Sequence, residues 1–129
     1  MALRSLIAMN PADLFRQDDN PVILAPGDSL FAEGDPGTEM FVLLEGSVNV
    51  VIKNRVIENL GVGSLIGEMA LIDESPRAAS VVATTPCRLA RINLRRFHFL
   101  VQQNPFFASH VMKVLVERIR RMNQQLVAK

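Results

Sequence analysis

From Val22 to Ile92 every apolar run is cut short by a chain-reversing cluster. Pro26-Gly27-Asp28, Glu33-Gly34-Asp35-Pro36-Gly37, Glu45-Gly46, Asn54-Arg55, Gly61-Val62-Gly63 and Thr85-Pro86 recur at near-regular spacing. Glycine supplies positive φ and proline presets a turn, so these clusters force the backbone to double back. The pieces left between them are 22–24, 30–32, 40–44, 47–53, 56–60, 65–66, 79–84 and 87–92. They are too short for helices and of ordinary strand length. Within 47–53, Val48, Val50 and Ile52 alternate with Asn49, Val51 and Lys53, the period of a strand with two unlike faces. Many short strands with turns between them predict a mainly β fold, a small antiparallel roll or barrel.

Helical patterns flank this region. Asn10-Pro11 is a cap followed by a first-turn proline and predicts a brief helix over 10–17. Beyond Ile92 the apolar period lengthens. Asn93 caps a helix over 94–102 with Phe97, Leu100 and Val101 inward, and Asn104-Pro105 opens a longer one reaching about Leu126. The expectation is one domain, 1–129: a short helix, a β-roll over 22–92 and helices over 93–126.

The chain has 129 residues, 49% of them hydrophobic, and a net charge of +1. That supports one core and gives no global electrostatic case for nucleic acid or an anionic membrane. The amino-terminal apolar stretch is too short for a membrane span or a signal-peptide core, and the lone Cys87 fits a reducing compartment, so a cytoplasmic location is expected. With only His98 and His110, a histidine-rich metal site is not expected. No Walker loop, CxxC pair or Ser-His-Asp pattern stands out, and no enzyme is expected.

The segment that carries chemistry is 67–81, Gly-Glu-Met-Ala-Leu-Ile-Asp-Glu-Ser-Pro-Arg-Ala-Ala-Ser-Val. Gly67-Glu68 opens a short apolar helical turn, Asp73 to Pro76 close it, and Arg77 follows at once. First-turn N–H groups lack intrahelical partners and attract anions. Arg77 adds a permanent charge and a planar donor fork suited to phosphate oxygens. Glu68, acceptor-only when ionised, repels phosphate and welcomes a hydroxyl donor. The alternative for this pair is a surface ion pair around a turn.

This run resembles the phosphate-binding cassette of cyclic-nucleotide-binding domains, the family of cAMP receptor proteins and protein kinase A regulatory subunits. Matching glycines in Ala32-Glu33-Gly34-Asp35 and Leu44-Glu45-Gly46-Ser47-Val48 extend the likeness over roughly 22–125. The resemblance implies a jelly-roll (double-stranded β-helix) with a short phosphate-binding helix and C-terminal helices. It implies that Arg77 meets the cyclic phosphate with backbone N–H groups near Ala70 and Ala78, while Gly67 and Glu68 hold the ribose 2′-OH. Met69 and Leu71 are expected beneath the pocket as core, with Ala79 beside the ligand and Ser80 either offering its hydroxyl to the phosphate or base side or serving simply as a strand residue. A hydroxyl often follows the arginine in guanine-preferring members; Ala78 there favours cAMP over cGMP. Met122 and Asn123 are expected at the adenine edge.

On the last helix Met112, Leu115, Ile119, Met122 and Leu126 alternate in spacings of three and four. That is a homodimer seam, or an apolar face buried within one subunit. The basic residues Lys113, Arg118, Arg120 and Arg121 are expected on a solvated face, with Glu117 pairing to Arg121, and direct DNA binding is not expected. A stand-alone sensor acting through an effector protein is favoured over a fragment, because the chain starts with methionine.

Overall fold

The computed structural model describes residues 11–15 and 18–127, without the side chains of 72 and 125–127. Eight strands run in chain order: β1 (Val22–Leu24), β2 (Ser29–Phe31), β3 (Glu39–Glu45), β4 (Val48–Ile52), β5 (Arg55–Leu60), β6 (Leu65–Ile66), β7 (Ser80–Ala83) and β8 (Cys87–Asn93). Helix α1 (Glu68–Asp73) interrupts them, and α2 (Leu94–Gln103) and α3 (Pro105–Val127) follow. The strands form two antiparallel four-stranded sheets, ordered β1-β8-β3-β6 and β2-β7-β4-β5. This is the expected jelly-roll with C-terminal helices.

β3 explains why its sequence is a continuous apolar run. Met40, Val42 and Leu44 turn one way and join Phe15, Ile92, Phe107 and Val111 in a core between the first sheet and the helices. Phe41 and Leu43 turn the other way, into a core between the sheets with Val48, Ile66, Val81 and Leu89. A strand covered on both faces has no polar side to alternate. Phe97, Leu100, Val101 and Val114 pack on the helix-side core, as the helical period predicts.

Two local expectations are corrected. The N-terminal helix is a single 3₁₀ piece, Pro11–Phe15; its chain leaves the helix with Asp18 N–H donating to the Phe15 carbonyl at 3.0 Å. Asn10, its expected cap, and residues 16–17 lie outside the described residues. The β4–β5 hairpin turns at Lys53-Asn54, both at positive φ, one residue earlier than Asn54-Arg55. Asparagine tolerates that conformation better than most residues; further along the pair, the register shifts between Val50 and Val51.

Among the described residues, no helix is long and apolar enough to cross a membrane.

Candidate functional site

Helix α1 is six residues of good helix formers between two left-handed residues, Gly67 at φ 76° and Glu74 at φ 57°. Gly67 is required by its conformation. After α1, Asp73 accepts hydrogen bonds from the Ser75 N–H and hydroxyl, an Asx turn that leads into Pro76 and Arg77. Those bonds hold the exposed Asp73 carboxyl below its ordinary value.

The cassette roofs one end of a cavity of about 260 Å³ against the inner face of the second sheet. Val50, Ile52, Ile57 and Leu60 give it apolar walls; Glu68 and Arg77 stand at its polar end. Both charged residues are buried, Glu68 fully and Arg77 to 6% exposure. Arg77 donates to the Gly67 carbonyl at 3.3 Å, and its guanidinium carbon lies 4.2 Å from the centre of the Phe31 ring. Such stacking is favourable for a cation. Burial pulls the guanidinium below its ordinary value, opposed by the charges of Glu39 and Asp35. Among the described residues, Arg77 Nε and Glu68 Oε2 have no hydrogen-bond partner. The first sheet's loop and Arg77 are also tied through backbone: Arg77 N–H donates to the Asp35 carbonyl and Gly34 N–H to the Arg77 carbonyl, each at 2.8 Å.

The structure brings Gly67, Glu68, Met69, Ala70, Arg77, Ala78, Ala79 and Met122 to this one cavity. It does not bring Ser80 or Asn123. The Ser80 hydroxyl points to the opposite side of β7 and accepts from the Glu33 N–H at 2.8 Å. Asn123 is exposed on α3, since one residue further along a helix is rotated about 100° from Met122. Met69, expected as core, is 49% exposed and forms part of the cavity rim, while Leu71 is buried as expected.

One residue at the site was expected elsewhere. Arg118, assigned to a solvated face, reaches from α3 into the cavity, where Nη1 pairs with Glu68 and Nη2 donates to the Leu65 carbonyl at 3.1 Å. Burial lowers its pKa. Arg121 likewise departs from its expected Glu117 partner and pairs with Glu58 of β5 at 2.7 Å. The signal was available: Arg118 and Met122 are four apart, hence on one face, and a glutamate inside an apolar turn needs a counter-charge. Among the described residues no group of three His, Cys, Asp or Glu could hold a metal ion.

The family model described as the cyclic nucleotide-binding domain matches residues 21–104. A cyclic nucleotide-gated potassium channel of Mesorhizobium japonicum is 41% identical over 85 residues, covering 66% of this chain and 23% of the channel. The CRP-like cAMP-activated global transcriptional regulator of Mycobacterium tuberculosis is 25% identical over 111 residues, covering 82% of this chain and 50% of the regulator. The crystal structure of the Thermus thermophilus catabolite activator protein superposes with a TM-score of 0.78 at 27% identity, covering 92% of this chain and 58% of that one. The chain thus spans half or less of the length of these two sequence relatives. With the jelly-roll, the cassette at its cavity and a family match over most of the β-roll, this chain belongs to the cyclic nucleotide-binding domain family.

Proposed function

We propose that this domain is a regulatory module that prefers cAMP to cGMP and passes binding through α3 to a partner or output domain. One observation carries the reading. Two buried, opposite charges face one apolar-walled cavity, each with a polar atom lacking a partner. Uncompensated buried polar atoms are costly, so the arrangement fits a ligand that brings an anion for Arg77 and a hydroxyl for Glu68.

In this reading Arg77 meets the cyclic phosphate, aided by backbone around Ala70 and Ala78, and Gly67 and Glu68 hold the ribose 2′-OH. Met69, Ala79 and Met122 flank the nucleoside, with the base along the apolar wall. Ala78, lacking a hydroxyl, is the residue that favours adenine over guanine. The Glu68–Arg118 pair supplies the coupling: Arg118 holds Oε1 of the carboxylate whose other oxygen, Oε2, is open to a ribose hydroxyl, so ligand and helix meet on one group. A ligand with different affinity for two arrangements of that helix shifts the balance between them.

Titration calorimetry with cAMP and cGMP tests this. cAMP is expected to bind more tightly, and Arg77→Ala to weaken it by about ten- to a hundredfold, the worth of one charge-assisted contact. Glu68→Ala is expected to shrink the preference for ribose over 2′-deoxyribose. Superimposable titrations for the wild type and Arg77→Ala defeat the assignment.

A second reading, a ligand-free dimerisation scaffold, is favoured by the outer face of α3. Met112 and Ile119 are 59% and 56% exposed there. Absence of heat with either nucleotide, together with a stable dimer, establishes that reading instead.

A further inference from the structure

The Arg77 guanidinium is bounded by two residues outside the cassette, Phe31 in the cavity lining and Gly37 just beyond that lining. Phe31, on β2, carries the guanidinium on its ring at 4.2 Å. Gly37, in the loop between β2 and β3, lies so close that a β-carbon built on it would overlap Nε, Cζ and Nη2 together. Its φ lies outside the left-handed region, so backbone conformation does not demand glycine there. The guanidinium does. Gly67 also abuts Arg77, but its positive φ gives it a second reason to be glycine. The paired backbone hydrogen bonds from Gly34 and to Asp35 hold this loop in register with Arg77 itself.

We infer that Gly37 and Phe31 are positioning residues that set where the Arg77 guanidinium stands in the cavity, with Gly37 kept bare to admit it. The inference rests on the anion-binding role proposed for Arg77. Its physical content is an asymmetry. The atoms that an alanine at 37 would strike are the far end of a flexible side chain, so they can move away without disturbing the sheets. The fold tolerates the substitution; the position of the charge does not.

The test observes Arg77 directly. In ¹⁵N-labelled protein, the Arg77 Nε–H resonance, assigned by its loss in Arg77→Lys, is expected to carry a ring-current shift from Phe31. It moves towards the free-arginine position in Phe31→Leu and in Gly37→Ala. Thermal midpoints of Gly37→Ala and wild type stay within about 2 °C, as for a change that removes no packing. cAMP affinity falls about tenfold or more in Gly37→Ala, the loss of one charge-assisted contact. Affinity for adenosine, which has no phosphate, is unchanged. Adding Gly37→Ala to Arg77→Ala causes no further loss, because both act through one guanidinium. An Arg77 resonance indifferent to both substitutions overturns the inference, and so do losses that simply add. If the wild type binds no cyclic nucleotide, the proposed function falls and the resonance alone decides where Arg77 is held.

Discussion

At Glu68 a carboxylate with no solvent exposure is held by an arginine from a helix fifty residues away in sequence. Desolvating both charges is expensive, and their attraction offsets that cost only while both are present. Arg118→Met therefore destabilises the fold by about 3 kcal/mol, the lower end for breaking a buried pair because Arg118 keeps 27% exposure. Urea unfolding measures it. A second substitution, Glu68→Gln, should recover much of the loss by removing the orphaned charge; a double variant no more stable than Arg118→Met contradicts this account. That Glu68 and Arg77 stand at one cavity was legible from the cassette as a whole, read with its family resemblance, since either residue taken singly fits a surface ion pair as well. The Arg118 contact was legible only through its four-residue spacing from Met122, because the charge by itself looks the same in sequence whether it faces water or a carboxylate.

Helix α3 serves three surroundings along its length. Phe107 and Val111 are buried against the β-roll, Arg118 and Met122 face the cavity, and Met112 and Ile119 are exposed. His110 sits half-buried on the same helix, beside a groove shared with Glu58 and Arg121. Desolvation lowers its pKa from the ordinary 6.5, helped by Lys113 and opposed by Glu117. A histidine whose folded value is depressed binds fewer protons folded than unfolded, so its contribution is complete above about 6.5 and declines as pH falls below it. Stability followed by denaturant midpoint from pH 7.5 to 5.5 should therefore drop less in His110→Gln than in wild type. Parallel curves remove His110 from the account. The existence and order of the strands were readable from the glycine and proline clusters, and their ends to within about a residue. They slipped by a residue at the β4–β5 hairpin, where Lys53 takes positive φ without any residue preference to announce it.

For the molecule as a whole, the alternation of Met112, Leu115, Ile119 and Met122 was open to two outcomes, and the fold separates them residue by residue. Leu115 packs partly on the helix-side core, Met122 lies at the cavity, and Met112 and Ile119 remain outside; the Leu126 side chain lies outside the described residues. If this face mediates the proposed self-association, light scattering gives a dimer mass for the wild type and a monomer mass for Ile119→Glu, which buries a charge in any such seam. Equal masses for the two proteins discard the seam. Local chemistry carried in the chain order determined the turns, the two faces of β4, the apolar run of β3 and the cassette, since each depends on neighbours within a few positions. Tertiary structure decided which charge reaches Glu68, that Met69 faces outward, that Ser80 is engaged by Glu33 and that Gly37 borders Arg77. Met69 aside, those relations join segments forty to fifty residues apart, where only the packing of sheets and helix sets the distance.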